Sequence, residues 1–228
     1  PSLSYIKRLH EEGWLGQIVA VNVTMMASGA LAHRSADAWM GSNANGANLM
    51  TIVGGHTIDA ITYCLNPFAE LSASVATKMP EWRLADTGET ISVDAPDSLI
   101  VNGALEGGAM VSLHTASVPH NASGWRMEIY GTDATIVAST SGLPQITPIT
   151  LLGARGSDVL VELPLLAELT DRFPAGPAGN VGRAYQHMAK AIGAGEFFSP
   201  DFAHAEGVHR LLDLIERSSA LGTSVTVS

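Results

Sequence analysis

The chain is poor in cysteine, lysine and nucleotide-binding motifs, and each shortage narrows what it can do. One cysteine, Cys64, is present among 228 residues, so no internal disulfide forms, and a reducing cytoplasmic location is the expectation. Cys64 sits in an apolar run, which favours a core thiol over a nucleophile. Only three lysines occur, Lys7, Lys78 and Lys190, none in a context resembling a catalytic lysine. No G-x-G-x-x-G, Walker A, HExxH, paired CxxC or G-x-S-x-G element is found. The nearest glycine-rich imitation, Gly176-Pro-Ala-Gly179-Asn-Val-Gly182, precedes a helix but follows a proline-rich loop rather than a strand, a weak case for a phosphate site. No metal site is expected. Basic residues number 12 against 22 acidic, a net charge of −10, which argues against a nucleic-acid surface or an anionic membrane as partner. No apolar run is long enough for a transmembrane helix. The opening PSLSYIKRLHEEGWLG lacks a basic region followed by an apolar one and is not read as a signal peptide.

What is present is apolar residues at 46% with only 15% charged, enough to bury a large core, and residues 1–228 are taken as a single domain. Leu3, Ile6, Leu9 and His10 recur at helical spacing over 2–13. Gln17–Ser28 is a long strand candidate. Residues 29–46 form a polar loop, long enough to suggest a functional role or a lid. Ala47–Leu65 has the pattern of a buried helix, stopped by Asn66-Pro67. A strand over 68–79 and a loop over 80–96 follow. Three hairpins come next: 97–105 with 109–118, 125–130 with 135–139, and 147–152 with 159–163. A helix from Asn180, its expected N-cap, to Ile192 is followed by another over 202–221 and a last strand at 224–227. The order implies an α+β fold, a large, mostly antiparallel open sheet with helices on one face. The uncovered face suggests a partner subunit.

The sharpest local feature is Val53-Gly54-Gly55-His56-Thr57-Ile58-Asp59. Each glycine costs about 1 kcal/mol against alanine inside a helix, so the pair predicts close approach of a backbone, a ring or a ligand. His56 and Asp59, three apart, share one side of the helix. An imidazole there can bond a hydroxyl or carry a proton; equally, the two side chains can satisfy each other or nearby backbone. Asn43, Asn45 and Asn48 precede the helix as polar candidates or as ordinary turn residues. Trp39 can stack on a sugar face. His114 and His120 fit surface or sheet positions, and Trp82 and Trp125 fit packing or interface roles.

GGHTID resembles the G-x-H-x-x-D motif in the second domain of Gfo/Idh/MocA oxidoreductases. The opening P-x-L-x-x-I-K-x-L-x-x-E-G-x-L-G-Q-I is similar to that family's first helix and long strand after the cofactor domain. The ending also matches, through Tyr185, Met188, Ala191-Ile192, Gly195, Phe202, Ala205, His209, Leu212, Ser218-Ser219-Ala220, Gly222 and Val225. The resemblance implies a GAPDH C-terminal-like domain whose Rossmann half, absent from this chain, binds NAD or NADP in the intact protein, with none bound by this chain alone. It implies a sugar-like small-molecule substrate, a homo-oligomer through the open sheet face, and His56 as the proton-handling histidine. Asn45, Asn48, Trp39 and Asp59 are the substrate-binding candidates, and Gly54 and Gly55 the cofactor-contact candidates. Many catalytic members carry aspartate four residues before the histidine, where this chain has Ile52. In this it looks closer to the subgroup that includes the fungal galactose-pathway repressor, a non-catalytic relative.

Overall fold

The computed structural model describes residues 1–170, 173–174 and 176–227. Helix α1 (Ser2–Glu11) leads into strand β1 (Ile18–Ser28); 3-10 turns at Ser35–Gly41 and Asn43–Asn45 and a π-turn at Met50–Gly54 then precede α2 (Gly55–Cys64). Strands β2 (Phe68–Ala76), β3 (Glu81–Arg83), β4 (Thr90–Ser92), β5 (Ser98–Leu105), β6 (Met110–Val118), β7 (Gly124–Gly131), β8 (Ala134–Thr140), β9 (Thr150–Arg155) and β10 (Val161–Glu162) follow. The chain closes with α3 (Ala167–Thr170), α4 (Pro177–Ala194), α5 (Phe202–Leu221) and β11 (Val225–Thr226).

The main sheet has nine strands in the order β10-β9-β8-β7-β1-β6-β5-β2-β11. Its neighbours are antiparallel except for β1 and β6, which run parallel with Val23 opposite Leu113. The strands alternate faces as a half-buried sheet requires. Val21, Val23 and Met25 of β1, Leu113 of β6, Leu99 and Val101 of β5 and Met127 of β7 join Ile6 and Leu9 of α1, Ile58 and Ile61 of α2, and Leu212 and Ile215 of α5 in one core. Burying such side chains stabilises by roughly 1.5–3 kcal/mol each. Beyond the short β11, the open edge of β2 is capped by α5: the amides of Ala73 and Val75 donate to the hydroxyls of Ser218 and Ser219, at 3.0 and 2.8 Å. That blunts an edge strand that otherwise invites foreign pairing.

The opposite face is open. Register lines up Ser72, Asn102, Ser112, Asn22 and Glu128 in one row and Ser74, Ile100, His114, Thr24 and Arg126 in the next. Met110 and Tyr130 are also exposed.

Three expectations change. Residues 80–96 contain the β3–β4 hairpin, whose Trp82, Val93 and Ala95 make a second small core with Met40 and Ile91. Asn180 is not an N-cap: α4 begins after Gly176 with Pro177 in its first turn, and the Asn180 amide instead donates to the Gln145 carbonyl at 3.2 Å. The segment 29–46 is no free lid. Asp86 accepts from the Ser35 amide and hydroxyl at 2.9 and 2.6 Å, Asp94 accepts from the Asn43 amide at 2.7 Å, and the Gly41 carbonyl accepts from the amides of Asp94 and Ala95.

Candidate functional site

The helix expected over 47–65 is built in two pieces. Asn48 and Thr51 cap each other at its start: the Asn48 side-chain oxygen accepts from the Thr51 amide and the Thr51 hydroxyl from the Asn48 amide, both at 3.0 Å. This is the reciprocal arrangement that satisfies orphan amides at a helix N-terminus. The Asn48 side-chain amide donates to Asn43 Oδ1 at 2.9 Å. The Gly54 amide reaches the Leu49 carbonyl at 2.8 Å, five residues back, which widens the turn to π geometry. Single π-turns within helices concentrate at functional sites because the extra residue re-aims the side chains around it.

Packing explains the first of the two glycines. A Cβ on Gly54 comes within 3.0 Å of Leu99 Cδ2 on the sheet, so a missing side chain lets the π-turn lie against β5. Gly55 faces Leu212 of α5, where a Cβ sits at an ordinary 3.7 Å. The close neighbour of Gly54 is therefore the sheet, where a ligand had been one of the expectations, and packing does not require glycine at Gly55. The imitation phosphate loop fails the same test: a Cβ on Gly179 collides with the Pro174 carbonyl, and one on Gly182 lies 2.6 Å from the Phe173 ring. These glycines pack a loop onto α4 and do not fit a pyrophosphate cradle.

His56 is exposed on the outer side of α2. Asp59, one turn on, is partly buried and pairs with His204 of α5, Nε2 to Oδ1 at 2.7 Å. That contact corrects the alternative in which Asp59 and His56 satisfy each other. Asn45 donates to the Trp39 carbonyl at 2.6 Å, while the Trp39 ring is 53% exposed. The structure thus places Asn45 and Asn48 in turn-forming bonds and leaves the His56 and Trp39 rings open. Cys64 is fully buried and burial pushes its thiol well above the usual range, as expected of a core residue.

Beside the π-turn lies a cavity of about 200 Å³ lined by Ile52 and Val53, by Met40, Met79, His33 and Trp82, and by the ends of β1 and β6 at Ala27 and Ser117. The His33 and Trp82 rings stack with centroids 3.5 Å apart and planes 9° from parallel. Burial lowers the His33 pKa below its ordinary value, against the opposing pull of Asp37. Asp97, at the cavity margin, accepts from the amides of Lys78 and Met79 at 2.8 and 2.7 Å. Sequence reasoning assigned Trp82 to packing and passed over His33, Asp97 and His204. Only the alternation of Trp82 with charged neighbours in Glu81-Trp82-Arg83 hinted at a strand there. A larger cavity of about 420 Å³ lies toward the other end of α2, bordered by Tyr63, Ser4 and Arg183. Of the site candidates singled out in the sequence, only the glycine-rich imitation borders it, through Gly176 and Asn180.

Known proteins place this geometry. The dehydrogenase aclE of Aspergillus oryzae is 29% identical over 46% of this chain and 30% of its own length. The galactose/lactose metabolism regulatory protein GAL80 of Saccharomyces cerevisiae is 24% identical over 81% of this chain and 52% of its own length. The chain thus spans about a third to a half of these relatives. A super-repressor mutant of Gal80p from S. cerevisiae superposes with a TM-score of 0.86 at 22% identity, covering 100% of this chain and 62% of that one. Levoglucosan dehydrogenase in complex with NADH and L-sorbose gives 0.83 at 22% identity, covering 98% and 62%. The fold is therefore shared by dehydrogenases and a regulator. The description "Gal80p, C-terminal domain" matches residues 1–140, more than half of the chain, and the chain belongs to that family.

Proposed function

We propose that this chain is the substrate-binding and assembly portion of an NAD(P)-dependent oxidoreductase acting on a sugar, polyol or related hydroxy compound. One observation carries the reading: His56 stands exposed on α2 just after a π-turn, about one turn from residues that line a cavity, with its helical neighbour Asp59 already engaged by His204. An imidazole so placed takes the proton from a substrate hydroxyl while hydride leaves the adjoining carbon. NAD or NADP, when bound to the intact protein, supplies the hydride acceptor. In this reading the cofactor is held by a further, Rossmann-type portion of the intact protein, because packing fills the space that a pyrophosphate would need at the glycine-rich turn over 176–182. Relatives longer than this chain, one of them described with NADH, support that reading.

Trp39 supplies an open ring for a substrate face. Asn45 and Asn48 shape the turn that presents it, and Asp59 holds α5 against α2. Val181, Tyr185, Met188 and Ile192 recur along an exposed side of α4, an apolar stripe suited to cover by further polypeptide. The open sheet face suits a second copy of the chain. The buried thiol and the absence, among the described residues, of any helix able to cross a membrane are compatible with a cytoplasmic protein.

A second reading, a non-catalytic ligand-sensing regulator, is favoured by Ile52. It is 42% exposed and stands where catalytic relatives of the resembling family hold an aspartate to orient the imidazole. Assay of the complete gene product against a panel of sugars and polyols with NAD and NADP separates the two. Dinucleotide reduction supports the enzyme; ligand-dependent binding of a protein partner without reduction supports the regulator. Turnover by the isolated 228 residues contradicts both.

A further inference from the structure

The cavity beside the π-turn is chemically unlike a site for a bare sugar. Its walls are Ala27, Met40, Leu49, Ile52, Val53, Met79, Ala95 and Pro96, with the Trp82 edge and the His33 ring closing one end. Of the polar side chains along it, the Ser117 hydroxyl and the His33 ring have no hydrogen-bond partner among the described residues, and the other two are engaged. Both Asn48 side-chain atoms are bonded within the 43–51 turn, and both Asp97 oxygens accept backbone amides. A polyhydroxylated ring buried here has only Ser117 and His33 to bond, so most of its hydroxyls are left without partners, which is the costly arrangement in a low-dielectric site. A planar apolar ring needs no such partners and gains from the methionine sulfur atoms and the aromatic wall. The volume is adequate: apolar cavities of about 150 Å³ take benzene, and this one is about 200 Å³.

Position gives the cavity a chemical meaning. Ile52 lines it, and His56 follows four residues later on the same side of the helix, about 6 Å along a regular helix axis. A ligand with its ring seated between Met40, Met79 and Trp82 carries a short substituent toward the His56 imidazole.

We infer that this cavity is a subsite for a six-membered aromatic ring, so that the ligand is an aryl-bearing hydroxy compound. Seating of the ring rests on the cavity alone. Delivery of the hydroxyl to a proton-transfer group rests on the function proposed above.

The test uses methyl-13C-methionine protein, because Met40 and Met79 report on the cavity from two sides. Benzyl alcohol titrated to millimolar concentration is expected to move the Met40 and Met79 methyl resonances upfield by ring current. Methyl α-glucoside at the same concentration is expected to leave them in place. Ala27→Leu, which adds volume at the strand-end wall, weakens the response at least tenfold; Ala47→Leu, filling from the turn side, does the same should the first variant fail to fold. His56→Ala keeps the response, so its retention together with loss of turnover in the complete protein separates the cavity from the chemistry. Absence of shifts at Met40 and Met79, shifts confined to other methionines, or an equal response to the glucoside overturns the inference.

Discussion

His33 and Trp82 stack at 3.5 Å between ring centroids, and burial keeps the His33 ring neutral more readily than an open histidine. The sign of the resulting pH dependence follows. The folded pKa lies below the unfolded one, near 6.5, so the unfolded chain binds the proton first. The contribution of the neutral ring is complete above the unfolded value and drains away as pH falls through the lower folded value. Melting temperature is therefore expected to fall between pH 7.5 and 5.5, and His33→Phe, which keeps an aromatic stack without a titrating nitrogen, is expected to fall less over that interval. Equal slopes for the two proteins remove His33 from the explanation. His56 has no such enclosure and stands exposed on α2.

Among the elements, the two-part helix at 48–64 separates packing from function. Gly54→Ala forces a methyl to 3.0 Å from Leu99, a buried side chain of a central strand, whereas Gly55→Ala meets Leu212 at 3.7 Å. Both glycines have right-handed helical backbone, so alanine's helix preference, about 0.4–1 kcal/mol, applies to each. Gly54→Ala is expected to destabilise by roughly 1 kcal/mol because overpacking outweighs that gain, while Gly55→Ala is neutral or slightly stabilising. Denaturant melts of the two variants check this contrast, and a stable Gly54→Ala protein contradicts the packing account. The same helix shows how far sequence carries. Alternation and turn residues located β1, β2, β5 to β8 and α5 almost to the residue, because period and punctuation are local properties. The π-turn was not legible, since one extra residue in a turn leaves no mark on apolar periodicity. The β3–β4 hairpin was hidden because its strands are three residues each, so that the one alternation, in Glu81-Trp82-Arg83, was too short to mark a strand. His56 was legible from its motif. The cavity beside it was not, because its walls come from segments as far apart as Ala27 and Ser117 and are brought together only by the pairing of β1 with β6.

At the scale of the whole molecule, helices cover one face of the nine-stranded sheet and the other presents rows of mostly short polar side chains, ending at the paired Arg126 and Glu128, with Ile100, Met110 and Tyr130 exposed among them. Small side chains permit close approach of a second sheet, and the apolar residues supply area. Light scattering is expected to give a dimer or larger species at micromolar concentration, and Ser112→Arg, introducing bulk at the centre of the face, to shift it toward monomer. A monomer in the unsubstituted protein contradicts assembly through this face.

The central claim is that His56 handles the proton. It is tested most directly by comparing the complete gene product with its His56→Ala variant in steady-state dinucleotide reduction, with ligand affinity measured in parallel. The account predicts a loss of kcat of about 100-fold or more with ligand affinity little changed, the range expected when a general base is removed. A variant that turns over as fast as the unsubstituted enzyme contradicts it.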